Sequence, residues 1–199
     1  MEKILRFIEK ELIPKNLYKK TQPIYHFLMA YFSALFYDFP SKKMIVVGVT
    51  GTKGKTTTCD LIYQILNFAG YKTGLATTAN FAISDLKWQN NSKQTMLGRF
   101  ELQKLLARMA KENCIYAIIE TSSEGILQFR HRFIDYDIAV FTNLSPEHIE
   151  RHGSFENYRN AKIKLFEKVA KEENSIGIYN LDDENAKYFL KPKIKNRYF

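Results

Sequence analysis

Two kinds of apolar pattern alternate along most of this chain. Short, nearly continuous apolar runs are typical of buried strands, and longer stretches with an apolar residue at every third or fourth position are typical of amphipathic helices. The predicted strands are 44–49, 72–77, 116–120, 138–142 and 176–180, and the predicted helices are 55–68, 100–111, 158–171 and a short one from Asp183. The polar stretch 84–95 is predicted to be a loop.

Strands separated by helices predict an α/β fold, with a mostly parallel sheet and helices on both faces. The first forty residues do not follow this pattern, because Pro14, Pro23 and Pro40 divide them into short helical pieces. We therefore expect an aromatic-rich, helical N-terminal extension at 1–40 and an α/β domain at 41–199.

The loop after the first predicted strand has the most specific chemistry, in the sequence GVTGTKGKTTT at 48–58. Gly51 and Gly54 let backbone N–H groups turn toward an anion, and the helix that follows adds the positive end of its dipole. Lys55 supplies a charge, and Thr56 supplies a hydroxyl ligand for Mg²⁺. The pattern predicts a P-loop-type site for a nucleoside triphosphate. Val49 stands where strict P-loops have glycine, so a turn without a ligand is the alternative.

Loops that follow parallel strands meet at the carboxyl edge of the sheet, where ligands collect. Glu120 ends an apolar strand at that edge and suits a Mg²⁺-binding carboxylate, although an ordinary strand-end acid is the simpler alternative. His148 and His152 have the four-residue spacing of a metal pair. Zinc is only weakly indicated, because no Cys or third His stands nearby in the sequence.

Charge is concentrated at the two ends of the chain. The net charge is +9, of which residues 1–20 contribute +3 and residues 187–199 contribute +5. Basic ends attract nucleic acid and anionic lipid without sequence preference. Solvated termini explain the tail more simply, and we predict no specific nucleic-acid partner.

Residues 24–39 are rich in aromatics but fall short of the ~20 apolar residues that span a bilayer. The segment either packs on the globular body or lies in a membrane interface beside the basic residues before it. No cleavable signal peptide is recognised, and the two cysteines do not suggest a disulfide framework. These features fit a cytoplasmic protein that can be peripheral to the inner face of the membrane.

Five motifs in order resemble those of one enzyme family. They are GVTGTKGKTTT (48–58), the 77–80 loop, IETSSEGILQFR (119–130), FTNLSPEHIERHG (141–153) with NYRNAKIKLF (157–166), and YNLDDENA (179–186). The chain thereby resembles the Mur ligases, which use ATP to add amino acids to UDP-N-acetylmuramoyl peptides in peptidoglycan synthesis. Within that family it is most similar to the tripeptide synthetases.

The resemblance implies roles for individual positions. The residues that would bind ATP are Gly51, Thr52, Lys53, Gly54, Lys55, Thr56, Thr57 and Asn80. Those that would ligate Mg²⁺ are Thr56, Glu120, His148 and, if carbamylated, Lys162. Lys55, Lys162 and His148 would be catalytic, and the UDP-sugar substrate would contact Thr95, Ser123, Gln128 and Arg130. The substrate carboxylate would attack the γ-phosphate of ATP, and the amine of an amino acid would then displace phosphate from the acyl phosphate.

The chain also departs from the family pattern. Lys53 replaces the usual Asn, Glu124 the usual His and Glu147 the usual Asp, which weakens the assignment of a subtype. The family has three domains and this chain resembles the central one, so we expect a piece of a longer ligase or a separate chain that supplies the rest. The alternatives are a folylpolyglutamate synthetase-like ligase and a non-catalytic nucleotide-binding module that works with a partner or a membrane.

Overall fold

The computed structural model describes residues 15–92, 94–147 and 149–199. Its helices are α1 (Lys15–Phe36), α2 (Lys55–Phe68), α3 (Arg99–Lys111), α4 (Ser123–Leu127), α5 (Ile149–His152), α6 (Phe155–Val169) and α7 (Ala186–Phe189), with a 3₁₀ turn at Pro40–Lys43. Its strands are β1 (Ile45–Thr50), β2 (Thr73–Ala76), β3 (Asn80–Ile83), β4 (Leu86–Gln89), β5 (Tyr116–Glu120), β6 (Ile138–Phe141), β7 (Ile176–Tyr179) and β8 (Asn196–Tyr198).

The eight strands form one sheet in the order β4-β3-β2-β5-β1-β6-β7-β8. Neighbouring strands are parallel in the part of the sheet ordered β2-β5-β1-β6-β7-β8. β3 pairs antiparallel with both β2 and β4. The predicted mostly parallel sheet is therefore confirmed. β1 lies at the centre, between β5 and β6, so the loop that follows it is flanked by the loops that follow its two neighbours.

Alternation along the central strand divides the core between the two faces of the sheet. Val47 and Val49 pack in a cluster with Cys59 and Tyr63 of α2. Val46 belongs to the larger cluster on the other face, which contains the buried residues of α3 and α6. Side chains of successive strand residues point to opposite faces, so one apolar run serves both layers. The expectation of helices on both faces is confirmed.

Two helices begin where a serine caps them. Ser122 Oγ accepts a hydrogen bond from Gly125 N at 3.1 Å, and Ser154 Oγ accepts one from Asn157 N at 3.1 Å. Such caps satisfy N–H groups that have no partner within the helix. The Ser154 cap starts α6 at Phe155, three residues before the predicted start at 158.

The prediction that 84–95 is a loop was wrong for its first half. β4 spans Leu86–Gln89 and forms a hairpin with β3, whose turn contains Ser84 in the left-handed region at φ 49. Trp88 lies over Phe81 of β3, with ring centroids 6.0 Å apart. The strand is stabilised by this cross-strand pair rather than by a continuous apolar run, which is why the pattern was missed.

The prediction of short helical pieces in the extension was also wrong across Pro23. α1 is one helix of 22 residues with Pro23 inside it, and it ends before Pro40, as predicted. Pro14 lies outside the described residues. None of the described helices is long and apolar enough to cross a membrane.

Candidate active site

The loop between β1 and α2 has the backbone geometry of an anion cradle. Gly51 has φ 151 and Gly54 has φ 78, both in the region that favours glycine. Gly54 is the N-cap of α2, so the first N–H groups of that helix face the loop without intrahelical partners. The positive end of the helix dipole lies at the same place.

Close packing holds this loop against the loop that follows β6. Thr52 N donates to Asn143 O at 2.8 Å, and Lys53 N donates to Asn143 Oδ1 at 2.9 Å. A Cβ at Gly51 would overlap Thr142 Oγ1 and lie 2.9 Å from Asn143 O. Gly51 is therefore required for the contact between the two loops as well as for the turn itself.

Lys55 reaches back across the cradle. Its Nζ donates to Thr52 O at 2.7 Å, and burial lowers the pKa of this amine, with Glu120 and Glu147 acting in the opposite direction. A lysine in the first turn of α2, beside the N–H groups that have no partner within the helix, places a cation where terminal phosphates of a nucleotide would bind.

Glu120 joins three segments at the end of β5. Its Oε2 accepts hydrogen bonds from Thr56 Oγ1 at 2.9 Å, Thr78 N at 2.8 Å and Thr78 Oγ1 at 3.0 Å. Among the described residues, all the hydrogen bonds to this buried carboxylate fall on Oε2, which leaves Oε1 to contact a cation. Thr56 and Glu120 thus place two oxygen atoms side by side, and oxygen atoms are the ligands that Mg²⁺ prefers.

Lys162 projects from α6 into the same region. Its side chain is 2% exposed, and Nζ donates to Gly51 O at 2.6 Å. Burial, and next the charge of Lys55, lower the pKa of Lys162 to about 7. At physiological pH, Lys162 is therefore a neutral amine in a large fraction of the molecules, whereas an exposed lysine is almost entirely protonated.

Tyr158 connects Lys162 to the loop and was not singled out from the sequence. Its hydroxyl lies 3.1 Å from Thr52 Oγ1, and its ring centroid lies 4.5 Å from Lys162 Nζ. Thr52 Oγ1 also accepts from Ser145 N at 3.0 Å. The spacing of Tyr158 and Lys162, one helical turn apart, was the signal that could have identified this pair.

A cavity of about 260 Å³ opens beside Lys55 and Lys162. Its charged lining residues are Lys55, Glu124, Arg130, Arg151 and Lys162, and Glu124 forms an ion pair with Arg151. Even without Lys162, the three cations Lys55, Arg130 and Arg151 outnumber the one acid, which suits an anionic ligand. The remaining lining includes Thr95 and Ser123, two positions that the sequence suggested for a substrate.

Arg130 is engaged by the protein itself. Its Nε and Nη2 donate to Gln128 Oε1 at 3.0 and 2.7 Å, and its Nη1 donates to Gln94 Oε1 at 2.9 Å and to Met96 O. The guanidinium therefore anchors the segment that carries Thr95. Direct contact between Arg130 and a substrate stays a prediction.

The other predicted positions are less closely connected. Asn80 closes the β2–β3 turn, where its backbone N donates to Thr77 Oγ1 at 3.0 Å. Thr57 is exposed in the first turn of α2, and Lys53 Nζ lies 3.7 Å from Glu147 Oε1. His148 lies outside the described residues. The other histidine of that pair, His152, is buried with Nε2 3.1 Å from Ser123 Oγ. The described residues contain no cluster of three or more His, Cys, Asp or Glu side chains that could hold a metal ion.

Comparison with known proteins agrees with this geometry. A model of the Mur ligase middle domain matches residues 49–198. A UDP-N-acetylmuramyl-tripeptide synthetase of Roseiflexus sp. (strain RS-1) is 40% identical over 172 residues, which are 81% of this chain and 34% of that protein. The chain thus spans about a third of the length of the curated relatives that it matches.

Two solved structures share the fold. A UDP-N-acetylmuramoyl-L-alanyl-D-glutamate–2,6-diaminopimelate ligase superposes with a TM-score of 0.67 at 31% identity, over 77% of this chain and 31% of that one. A Mycobacterium tuberculosis folylpolyglutamate synthase complexed with ADP superposes with a TM-score of 0.68 at 13% identity, over 86% of this chain and 45% of that one. The second similarity is one of fold alone.

Proposed function

This chain belongs to the Mur ligase family through its middle domain, and on that premise we propose that it is the ATP-binding portion of a peptidoglycan-precursor ligase. The proposed reaction adds an amino acid to a UDP-N-acetylmuramoyl peptide through an acyl phosphate. We place the ligase central domain at 41–199 and treat 1–40 as a separate extension. Such a ligase works in the cytoplasm, with the remaining domains supplied by a longer chain or by a separate one.

The observation that supports this proposal most directly is the convergence of Lys55, Glu120 and Lys162 on one glycine loop. Lys55 and Lys162 donate to consecutive loop carbonyls, those of Thr52 and Gly51. Glu120 is bonded to Thr56, the residue that follows Lys55. The Lys55 cation close to the terminal phosphates would stabilise the charge that develops there during phosphoryl transfer.

The donor set fits a Mg²⁺ ion in part. Glu120 and Thr56 offer oxygen ligands, and bound Mg²⁺ would neutralise phosphate charge. Lys162 does not fit as an ammonium, because a cation repels a metal ion. As a neutral amine it can add to CO₂, which forms an N–C bond and releases one proton to leave a carbamate anion. We propose this modification for Lys162, with His148 as a further ligand.

A muramoyl substrate is favoured over a folate. The relatives with about 40% identity are UDP-N-acetylmuramyl-tripeptide synthetases and UDP-N-acetylmuramoyl-L-alanyl-D-glutamate–2,6-diaminopimelate ligases, whereas the folylpolyglutamate synthase is 13% identical. The basic cavity beside the loop suits a carboxylate and a diphosphate. Thr95, Ser123, Gln128 and Arg130 are the residues that we propose on its substrate side.

Calorimetric titration of the full chain with ATP and Mg²⁺ tests the nucleotide site. We expect Mg²⁺-dependent binding that Lys55→Ala weakens at least about tenfold, because a charge-assisted contact to phosphate is lost. Lys104→Ala, at an exposed position of α3, is the matched control and should bind as the parent does. Equal binding by all three proteins would refute the assignment.

Release of phosphate from ATP with UDP-N-acetylmuramoyl peptides and amino acids then separates a ligase from a non-catalytic module. Turnover that requires both substrates and disappears in Lys55→Ala supports the ligase. Nucleotide binding without substrate-dependent turnover, even after the missing domains are added, supports the module instead.

A further inference from the structure

Helix α1 presents an apolar face to solvent that the proposed function does not explain. Ile24 is 63% exposed, Phe32 57%, Leu35 50% and Phe36 71%. Leu28 is exposed as well, and the five positions recur at helical spacing along one side. From Ile24 to Phe36 this face is about 18 Å long.

The opposite side of the helix is fixed to the body of the protein. Ala30, Ser33 and Ala34 are buried there. Phe27 and Tyr31 border the two sides, 42% and 38% exposed, and contact the ring of Phe133 edge-on, with centroids 5.2 and 5.4 Å away. Packing on this side therefore sets which side of the helix faces solvent. The outward face cannot turn inward without breaking these contacts.

The outward face is larger and more apolar than ordinary surface. Five side chains of this size, about half to two-thirds exposed, present on the order of 500 Å² of apolar surface, at the upper end of what monomeric proteins expose. Residues 21–37 contain no Asp, Glu, Lys or Arg. Nothing charged therefore interrupts the face over more than four turns.

The sequence on both sides of this face is basic. Lys15, Lys19 and Lys20 precede it in the chain and Lys42 and Lys43 follow it, with Lys43 paired to Asp38 at 2.8 Å. A second copy of this chain is a poor partner for the face. If two copies paired through α1 with twofold symmetry, basic ends of the two helices would meet whether the helices ran parallel or antiparallel. An anionic surface complements both ends at once.

We propose that α1 is an interfacial helix that docks this protein onto an anionic lipid bilayer, with Ile24, Leu28, Phe32, Leu35 and Phe36 inserted into the headgroup region. An exposed apolar face and a basic segment are the two components that together give stable peripheral binding. The interaction does not depend on the nucleotide site, since none of these residues lies in the loop or the cavity described above.

Co-sedimentation of the full chain with vesicles tests the proposal. We expect binding to vesicles of mixed phosphatidylglycerol and phosphatidylcholine and much weaker binding to phosphatidylcholine alone. The double variant Phe32→Ser/Phe36→Ser should reduce partitioning at least about tenfold, because two large apolar insertions are lost. Lys19→Gln/Lys20→Gln should reduce it about tenfold at low salt and little at high salt.

Phe68→Ser is the matched control, since Phe68 is 98% exposed at the end of α2, away from the proposed face. It should bind vesicles as the parent does, and all variants should keep the parent's affinity for ATP, which shows that they are folded. Binding that Phe32→Ser/Phe36→Ser leaves unchanged would overturn the proposal. An absence of vesicle binding would overturn it as well. This holds if the chain is a monomer, and equally if it forms a dimer that Phe32→Ser/Phe36→Ser dissociates.

Discussion

Replacing Lys162 by Met should change how the stability of the protein depends on pH. The unfolded lysine has its ordinary pKa of 10.5, and burial lowers the pKa of the folded one to about 7. Between these two values the unfolded chain holds a proton that the folded chain has lost. The free energy of unfolding contributed by Lys162 therefore rises with pH in this window, and its charged form destabilises the fold below it.

The size of the effect follows from the same pKa shift. Each pH unit in which the two states differ by one proton contributes about 1.4 kcal/mol. Because the folded lysine is still half protonated near its own pKa, the expected gain between about pH 7 and pH 9 is about 2 kcal/mol. Met fills a similar volume without a charge, so the variant should not show this gain.

Urea unfolding of both proteins at several pH values in this window, in buffer purged of CO₂, measures the difference. Groups other than Lys162 contribute to both curves and largely cancel when the two free energies are subtracted. The difference should move in favour of the parent by about 2 kcal/mol as the pH rises. A difference that stays flat within error would show that Lys162 is protonated throughout and that burial does not lower its pKa.

Three further outcomes are expected. Gly51→Ala should lower the free energy of unfolding by about 2–5 kcal/mol, because strain and overlap with the neighbouring loop add. Gly54 has φ 78 and no atom within 4 Å of its Cβ position. Gly54→Ala should therefore lower the free energy of unfolding by only about 1–2 kcal/mol, measured for both variants by urea unfolding. Equal losses would contradict the close packing. Glu120→Gln keeps an acceptor for the three hydrogen bonds but loses the charge, so it should fold. In calorimetry, the factor by which Mg²⁺ raises its affinity for ATP should be at least about tenfold smaller than for the parent. Unchanged Mg²⁺ dependence would exclude Glu120 as a ligand. NMR in ¹³C-labelled bicarbonate should show one carbamate carbon that Lys162→Met abolishes, and a signal that persists in the variant would place the modification elsewhere.

Much of the fold followed from local pattern. The strand–glycine loop–helix order around Gly51 and Gly54 predicted the anion cradle, and the alternation of elements predicted the parallel sheet. The β3–β4 hairpin was missed because Trp88 contacts Phe81 across the hairpin. Pro23 does not break α1 as its sequence predicted, because packing against the body, as at Ala30 and Ala34, stabilises the helix.

The sequence by itself determined which chemical groups are present and which loops carry them, since a loop's glycines and a helix start are local properties. Only the tertiary structure decided that Lys162 lies buried against the carbonyl of Gly51, 111 residues away in the chain, and that its pKa falls to about 7. Burial depends on which distant elements pack together, and periodicity within one segment does not contain that information. The same reason applies to α1: its sequence shows an apolar helix, but the burial of Ala30, Ser33 and Ala34 against the body decides which apolar residues face outward.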